Sequence, residues 1–254
     1  MFDFLRRKPA TTTLPTYRTP PQTRIYAVGD IHGRLDLLEQ MLEMIKTDAA
    51  ESPPARLELV FLGDYVDRGF QSRGVIDCLQ SRLPAGFTTI FLRGNHEEVM
   101  LRFYDGDLGI ALDWLYFGGR ETLASYGITP PPANMPSEKL PALQAEFMAK
   151  LPPDHVAFLR ATQLHYVCGD YTFVHAGLRP GLGLAQQLRE DLLFIRSDFM
   201  QSDYDLGTLV VHGHTVVETP EVRPNRISID TGAYATGRLT CVVLEGSAHR
   251  FLHT

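Results

Sequence analysis

Aspartate, histidine, asparagine and arginine recur in short glycine-bounded motifs along this 254-residue sequence. In chain order they are GDIHG with Asp30 and His32, GDYVDRG with Asp64, Asp67 and Arg68, and GNHE with Asn95 and His96. Two further histidines, His175 and His214, close later apolar runs. Asp30, His32, Asp64, Asn95, His175 and His214 form a set of oxygen and nitrogen ligands with no thiolate. Such a set suits Mn, Fe or Zn better than Ca or Mg. Six ligands are too many for one open catalytic ion but suit two divalent ions that share a bridge. Two ions roughly 3.5–4 Å apart hold a hydroxide between them and grip substrate oxygens. A bound ion also brings the ionisation of water close to neutral pH. Asp64, after the middle of three strands, is the expected bridging carboxylate, and Mn is the expected metal, with Fe or Zn fitting the same ligands.

The remaining polar residues supply what metals do not. The planar fork of Arg68 matches two phosphate oxygens. His96 is placed to protonate a leaving oxygen, and Asp67 to orient that imidazole and charge it. Any one of these motifs is weak evidence, because Asp-Gly turns are common and a lone histidine at a strand end is more often a core residue. Their strength is joint: three motifs follow three consecutive strands, and two more histidine-bearing strand ends come later.

The elements that must position them are legible from periodicity. RIYAVGD, LELVFLGD and TTIFLRGN are apolar runs that end in polar turns. Between them lie LDLLEQMLEMIK and SRGVIDCLQSRL, with helical spacing of apolar residues. Strand, helix, strand, helix, strand in that order implies a parallel sheet, and the polar residues then fall at the carboxyl edge where such sheets bind ligands. Residues 98 to about 165 carry helical spacing, the only tryptophan (Trp114) and a Pro-rich piece, and are expected to form a helical cap or insertion. YTFVHAG, TLVVHGHT, RISIDTGA, LTCVVLEG and HRFLHT are expected to build a second sheet packed on the first. Residues 1–23, rich in Thr, Pro and Arg, are expected to be a mobile tail, and residues 24–254 a single domain.

Composition narrows the partners. The net charge of -6 makes a nucleic-acid polymer a poor partner. No stretch approaches the roughly 18 apolar residues of a membrane span, so no stable membrane insertion is expected. The N-terminus lacks the apolar core of a secretory signal. Cys78, Cys168 and Cys241 lie far apart without a CxxC pair, which points to buried thiols in a reducing, cytoplasmic setting.

Taken together, GDIHG, GDYVDRG, GNHE, HAG (175–177), GHT (213–215) and DTGA (230–233) resemble the phosphoprotein phosphatase family of the calcineurin-like metallophosphoesterase superfamily, in its compact bacterial and phage branch. The resemblance covers about residues 24–250. It implies an α/β (α+β) fold: a central two-sheet β-sandwich flanked by helices in four layers, with a small helical cap. It implies that Asp30, His32 and Asp64 hold one metal ion, and that Asp64, Asn95, His175 and His214 hold the other. It further implies that Arg68 binds phosphate, that His96 and Asp67 are the acid pair, and that Arg196, in DLLFIRSDF, is a second phosphate-binding arginine. Asn95 also touches phosphate on this reading. The motif HAG stands where eukaryotic members have HGG, and no long extension follows DTGA, so docking of eukaryotic-type regulatory subunits is not expected.

Other residues receive lesser roles. Tyr234 follows the DTGA turn and is a candidate to line the substrate cleft. His212 and Arg93 are expected to be structural, and Trp114 to be a core residue of the cap. The expected activity is metal-dependent hydrolysis of phosphomonoesters, with a phosphorylated protein or peptide as partner: phosphoserine and phosphothreonine first, phosphotyrosine also accepted. The alternative from the same superfamily is a diadenosine tetraphosphate or other nucleotide hydrolase, against which Asp67 weighs. A non-catalytic phosphate-binding protein is the remote alternative, since no ligand is missing.

Overall fold

The computed structural model describes residues 16–52 and 54–254. Three parallel strands open the fold: β1 (Thr23–Val28), β2 (Arg56–Phe61) and β3 (Phe87–Phe91). They are linked by α1 (Leu35–Glu51) and α2 (Ser72–Ser81). The register aligns Val28 with Phe61 and Phe61 with Phe91, so the three strands end on one line. Their following loops, which carry Asp30, Asp64 and Asn95, therefore meet at one edge.

Beyond β3 the chain is helical, as the spacing predicted. It forms α3 (Asn95–Tyr104), α4 (Ala111–Trp114), a wide turn over Leu115–Gly119, α5 (Arg120–Ser125), α6 (Leu140–Lys150) and α7 (Pro153–Ala161). The second sheet then begins with β4 (His165–Cys168), β5 (Tyr171–Val174) and β6 (Leu209–His212), with α8 (Arg189–Phe194) and α9 (Ser197–Met200) between the last two. It is completed by β7 (Glu221–Arg223) and β8 (Arg226–Ser228) in the order β4-β5-β6-β8-β7. A short helix, α10 (Ala233–Thr236), leads to the hairpin β9 (Thr240–Glu245) and β10 (Ala248–His253).

That hairpin corrects one sequence expectation. It joins the first sheet, in the order β10-β9-β1-β2-β3, with β9 antiparallel to β1. Period-two patterning explains why it fits there. In β1, Ile25 and Ala27 face the opposing sheet while Tyr26 and Val28 face the helices, and in β9 Val242 and Cys241 divide the same way. Two five-stranded sheets thus enclose an apolar layer containing Val60, Leu62, Phe173, Val211 and Ile227. A larger core lies between the first sheet and α1, α2 and the cap. A third, with Leu192 and Phe199, lies behind the second sheet. This is the four-layer sandwich that the sequence implied.

The expected tail needs a second correction where it can be seen. Residues 1–15 lie outside the described residues. Residues 16–22 do not hang free: Thr19 N–H donates to Gly246 O at 2.9 Å, and Arg18 N–H donates to Asp170 at 2.8 Å. This segment ties the two sheets together at the edge remote from the motifs. Among the described residues no helix is long and apolar enough to cross a membrane. The three cysteines are free and buried.

Candidate active site

The GDIHG, GDYVDRG and GHT loops leave their strands in an unusual backbone conformation. His32, Asp64, Asp67, Arg68 and His214 all have positive φ, between 47° and 70°. Outside glycine that region is uncommon, and residues held in it cluster at functional sites. The constraint comes from crowding. Gly63 has φ 101°, and a Cβ there would lie 2.4 Å from the Gly94 nitrogen, so the second and third motif loops touch backbone to backbone. Glu97, wholly buried, clamps them. Its carboxylate accepts from the N–H groups of Asp64 (2.8 Å), Tyr65 (2.7 Å), Val66 (3.2 Å) and Gly94 (2.9 Å). Burial pushes the Glu97 carboxyl up to about 7, with Asp64 adding and the backbone donors opposing.

Two groups of ligand atoms converge within 4.8 Å: His32, Asp64 and His96, and Asp64, His175 and His214. Asp64 belongs to both. Its Oδ2 is 3.4 Å from His32 Nε2, and its Oδ1 is 3.5 Å from His175 Nε2. Asn95 Oδ1 sits 2.9 Å from His175 Nε2 and 2.8 Å from His214 Nδ1. Asp30 lies outside both tight groups. Its Oδ2 accepts from His214 N–H at 3.0 Å, while its Oδ1 is buried without a partner.

The donor chemistry calls for cations here. His32 Nδ1 donates to Val66 O and His175 Nδ1 to Leu62 O, each at 2.9 Å. The neutral rings therefore present lone pairs at Nε2, fixed as metal-bound imidazoles are fixed by their other nitrogen. Burial pushes His32 down to about 3 and also lowers His175 and His214, so all three are uncharged at neutral pH. The lone pair of His175 then faces Asn95 Oδ1 and Asp64 Oδ1, which are acceptors too. Such a meeting of acceptors is satisfied by a positive ion between them. Asp30 is pushed well above the carboxylate range by burial, then by Asp230 and Asp64; burial also takes Asp230 up to about 6, with Asp64 adding. Three crowded carboxylates point to the same need.

Beside this cluster stands the His96–Asp67 pair. His96 Nδ1 lies 2.7 Å from Asp67 Oδ2, and both residues are buried. Burial works against charge on His96, but Asp64 and Asp67 outweigh it and hold the imidazole above its ordinary value. Its Nε2 faces a cavity of about 300 Å³, lined also by His32, Asp64, Arg68, Arg196 and His214. Arg196 enters from the turn between α8 and α9 and donates to His214 O at 3.2 Å. The guanidinium of Arg68 lies 4.4 Å over the ring of Tyr234, which supports it by cation–π contact. All eleven residues singled out from the sequence thus gather at one sheet edge. His212 and Arg93 stand apart in structural bonds, to Ser228 at 2.7 Å and to Thr162 at 2.9 Å.

Sequence reasoning passed over three groups. Asp230 follows β8, which runs parallel to β6, and it lines the cavity. The strand-end rule applied to the other carboxylates finds it. Glu97 stood in the GNHE motif without an assigned role. Trp114 is buried as expected, but its indole also donates to Asp67, as does Thr122 Oγ1 at 2.6 Å. No local signal marks either donor.

A stacked pair of sheets between helices, with carboxylates, imidazoles and an amide collected at the strand ends around two arginines, defines a metal-dependent phosphoesterase. The family model for calcineurin-like phosphoesterase matches residues 23–218, and the chain belongs to that family. It is 25% identical over 233 residues to the asymmetrical bis(5'-nucleosyl)-tetraphosphatase PrpE of Bacillus anthracis, covering 85% of this chain and 88% of that one. To the protein of the same name from Anoxybacillus flavithermus it is 27% identical over 238 residues, with coverage of 85% and 88%. The fold matches a crystal structure provisionally named a diadenosine tetraphosphatase, with TM-score 0.63 at 20% identity over 93% of this chain and 98% of that one. It also matches a cold-active protein tyrosine phosphatase, with TM-score 0.55 at 19% identity over 97% and 87%.

Proposed function

We propose that the chain hydrolyses phosphoric esters or anhydrides with two divalent ions, Mn the expected pair, held by Asp30, His32, Asp64, Asn95, His175 and His214. When bound, the ions supply a water nucleophile at neutral pH and neutralise phosphoryl charge. The chain's own residues do the rest. Arg68 and Arg196 hold phosphoryl oxygens, with Asn95 at the same oxygens and Tyr234 steadying Arg68 from beneath. His96 gives the Nε2 proton to the departing oxygen, and Asp67 fixes the ring through Nδ1. The observation that carries this reading is the 2.7 Å contact between His96 and Asp67 with Nε2 turned to the cavity.

For the substrate, a dinucleoside polyphosphate takes first place. Its support is the likeness to the bis(5'-nucleosyl)-tetraphosphatases of Bacillus and Anoxybacillus, together with the exposed Phe117 in the groove beside the cavity. Water oxygen bonds to one phosphorus, the bridging P–O bond breaks, and the bridging oxygen leaves with the other nucleotide. The second reading, expected from the sequence, is a phosphoserine or phosphothreonine protein. The acid pair favours it, because an alkoxide leaves far less readily than a phosphate-terminated group and gains more from protonation.

Both readings meet one test: diadenosine tetraphosphate and a phosphothreonine peptide, assayed side by side with Mn and with Asp64→Asn as control. Faster cleavage of the dinucleotide supports the first, faster phosphate release from the peptide the second. Metal-dependent turnover of neither contradicts the proposal.

A further inference from the structure

We infer that Phe117 is the stacking platform for a nucleobase of the substrate; this rests on the nucleoside polyphosphate reading above. Phe117 is 56% exposed and Tyr116 81% exposed, although both are large and apolar. Exposed aromatic side chains beside a polar site mark binding surfaces more often than chance exposure does. Their rings meet edge to face with centroids 5.1 Å apart, so Tyr116 braces Phe117 from one edge and leaves its other surface free.

The placement is fixed relative to the phosphate-binding machinery. Both residues lie in the wide turn Leu115–Gly119. That turn touches the second motif: Arg68 N–H donates to Gly118 O at 3.2 Å. Gly118 has φ 122°, and a Cβ there would lie 2.4 Å from the Arg68 nitrogen. No side chain fits between them, so the backbone that carries the aromatic pair packs directly on Arg68 as one unit.

A groove of about 380 Å³ runs from the reaction cavity past this unit. It shares Arg68, His96, Arg196 and His214 with the cavity and has apolar walls from Val99, Ile110, Phe117 and Phe194. It falls in the ordinary size range for a small-molecule site, roughly 300–1,000 Å³. Among these walls Phe117 is the exposed aromatic ring, and a planar base next to a phosphate held by two arginines lies on it. Asp113 and Glu190, which also line the groove, are placed to accept from base amino groups or ribose hydroxyls. With the apolar walls they suit the groove to the nucleoside end of the substrate, although Arg102 also lines it.

The test compares adenosine 5'-tetraphosphate with inorganic tetrapolyphosphate in Mn, using the unaltered chain, Phe117→Ala and Phe117→Tyr. Base stacking of ordinary strength raises KM for the adenosine compound roughly 5- to 150-fold in Phe117→Ala. KM for the inorganic chain stays unchanged, and Phe117→Tyr restores the difference. An equal rise for both compounds, or no rise for either, overturns the inference while leaving the nucleotide reading intact. If the unaltered chain cleaves neither compound but dephosphorylates a phosphothreonine peptide, the nucleotide reading itself fails, and the platform with it. Phe117 is exposed, so the variants are expected to fold; matching Tm values check this.

Discussion

Trp114, in the cap, donates its indole N–H to Asp67 in the second motif, 3.0 Å from Oδ2 and 47 residues away in sequence. The cap is therefore part of the acid pair and not only a cover. Asp67 also accepts from Thr122 and faces His96, so its carboxylate is held by three groups. Trp114→Phe keeps the ring and removes the donor. A lost hydrogen bond to a charged group costs about 1.5–3 kcal/mol, so roughly tenfold or more in kcat is expected for alkyl phosphates. Aryl phosphates, whose leaving oxygen needs little help, are expected to change little. Steady-state kinetics on phosphoserine and p-nitrophenyl phosphate separates the two.

His96→Asn tests the acid itself. Loss of general acid catalysis is expected to lower kcat about 10²- to 10⁴-fold on alkyl phosphates. The same change is expected to spare much of the aryl phosphatase activity. Equal losses on both would show that His96 does not act through the leaving group.

The Glu97 clamp predicts a stability effect. Glu97→Gln places amide hydrogens against backbone N–H groups that now donate to the carboxylate. Each buried donor left without an acceptor costs about 1–3 kcal/mol, so a loss of about 3 kcal/mol is expected. For a chain of this size that lowers Tm by roughly 6–12 °C. Activity is expected to fall as well, because Asp64 and the second motif lose their anchor.

How much was legible divides along a physical line. The parallel strands, the edge at which they end and the residues after them follow from short-range signals: apolar runs of period two, glycine turns, and polar residues at fixed offsets. Asp30, Asp64, Asn95, His175 and His214 were found that way. Partnerships that depend on tertiary approach were not. Trp114 and Thr122 reach Asp67 from the cap, whose irregular turn at Gly118 has no periodic signature. The place of the hairpin β9–β10 in the first sheet is not legible either, because each sheet offers an edge to an alternating strand and only packing decides. Asp230 was visible in principle, since it follows a strand as the other carboxylates do.

Burial of Asp230, with Asp64 adding, gives a pH signature in protein stripped of metal. The folded Asp230 carboxyl, at about 6, lies above its unfolded value of about 3.9. Such a group stabilises the fold fully below the unfolded value and loses that contribution as pH rises through about 6. The chelated protein is thus expected to lose Tm between about pH 4 and pH 6.5 by more than Asp230→Asn does. Added Mn is expected to remove the difference. Thermal melts across that range check it.

The most direct test of the central claim is the number of Mn ions bound per chain, measured by elemental analysis after equilibrium dialysis, for the unaltered protein and for Asp64→Asn. Two ions per chain are expected, and Asp64→Asn is expected to retain fewer than two and to lose nearly all turnover. Chelation is expected to abolish activity in the unaltered protein and Mn to restore it. A single ion per chain, or two ions kept by Asp64→Asn with activity intact, would contradict a shared two-metal site.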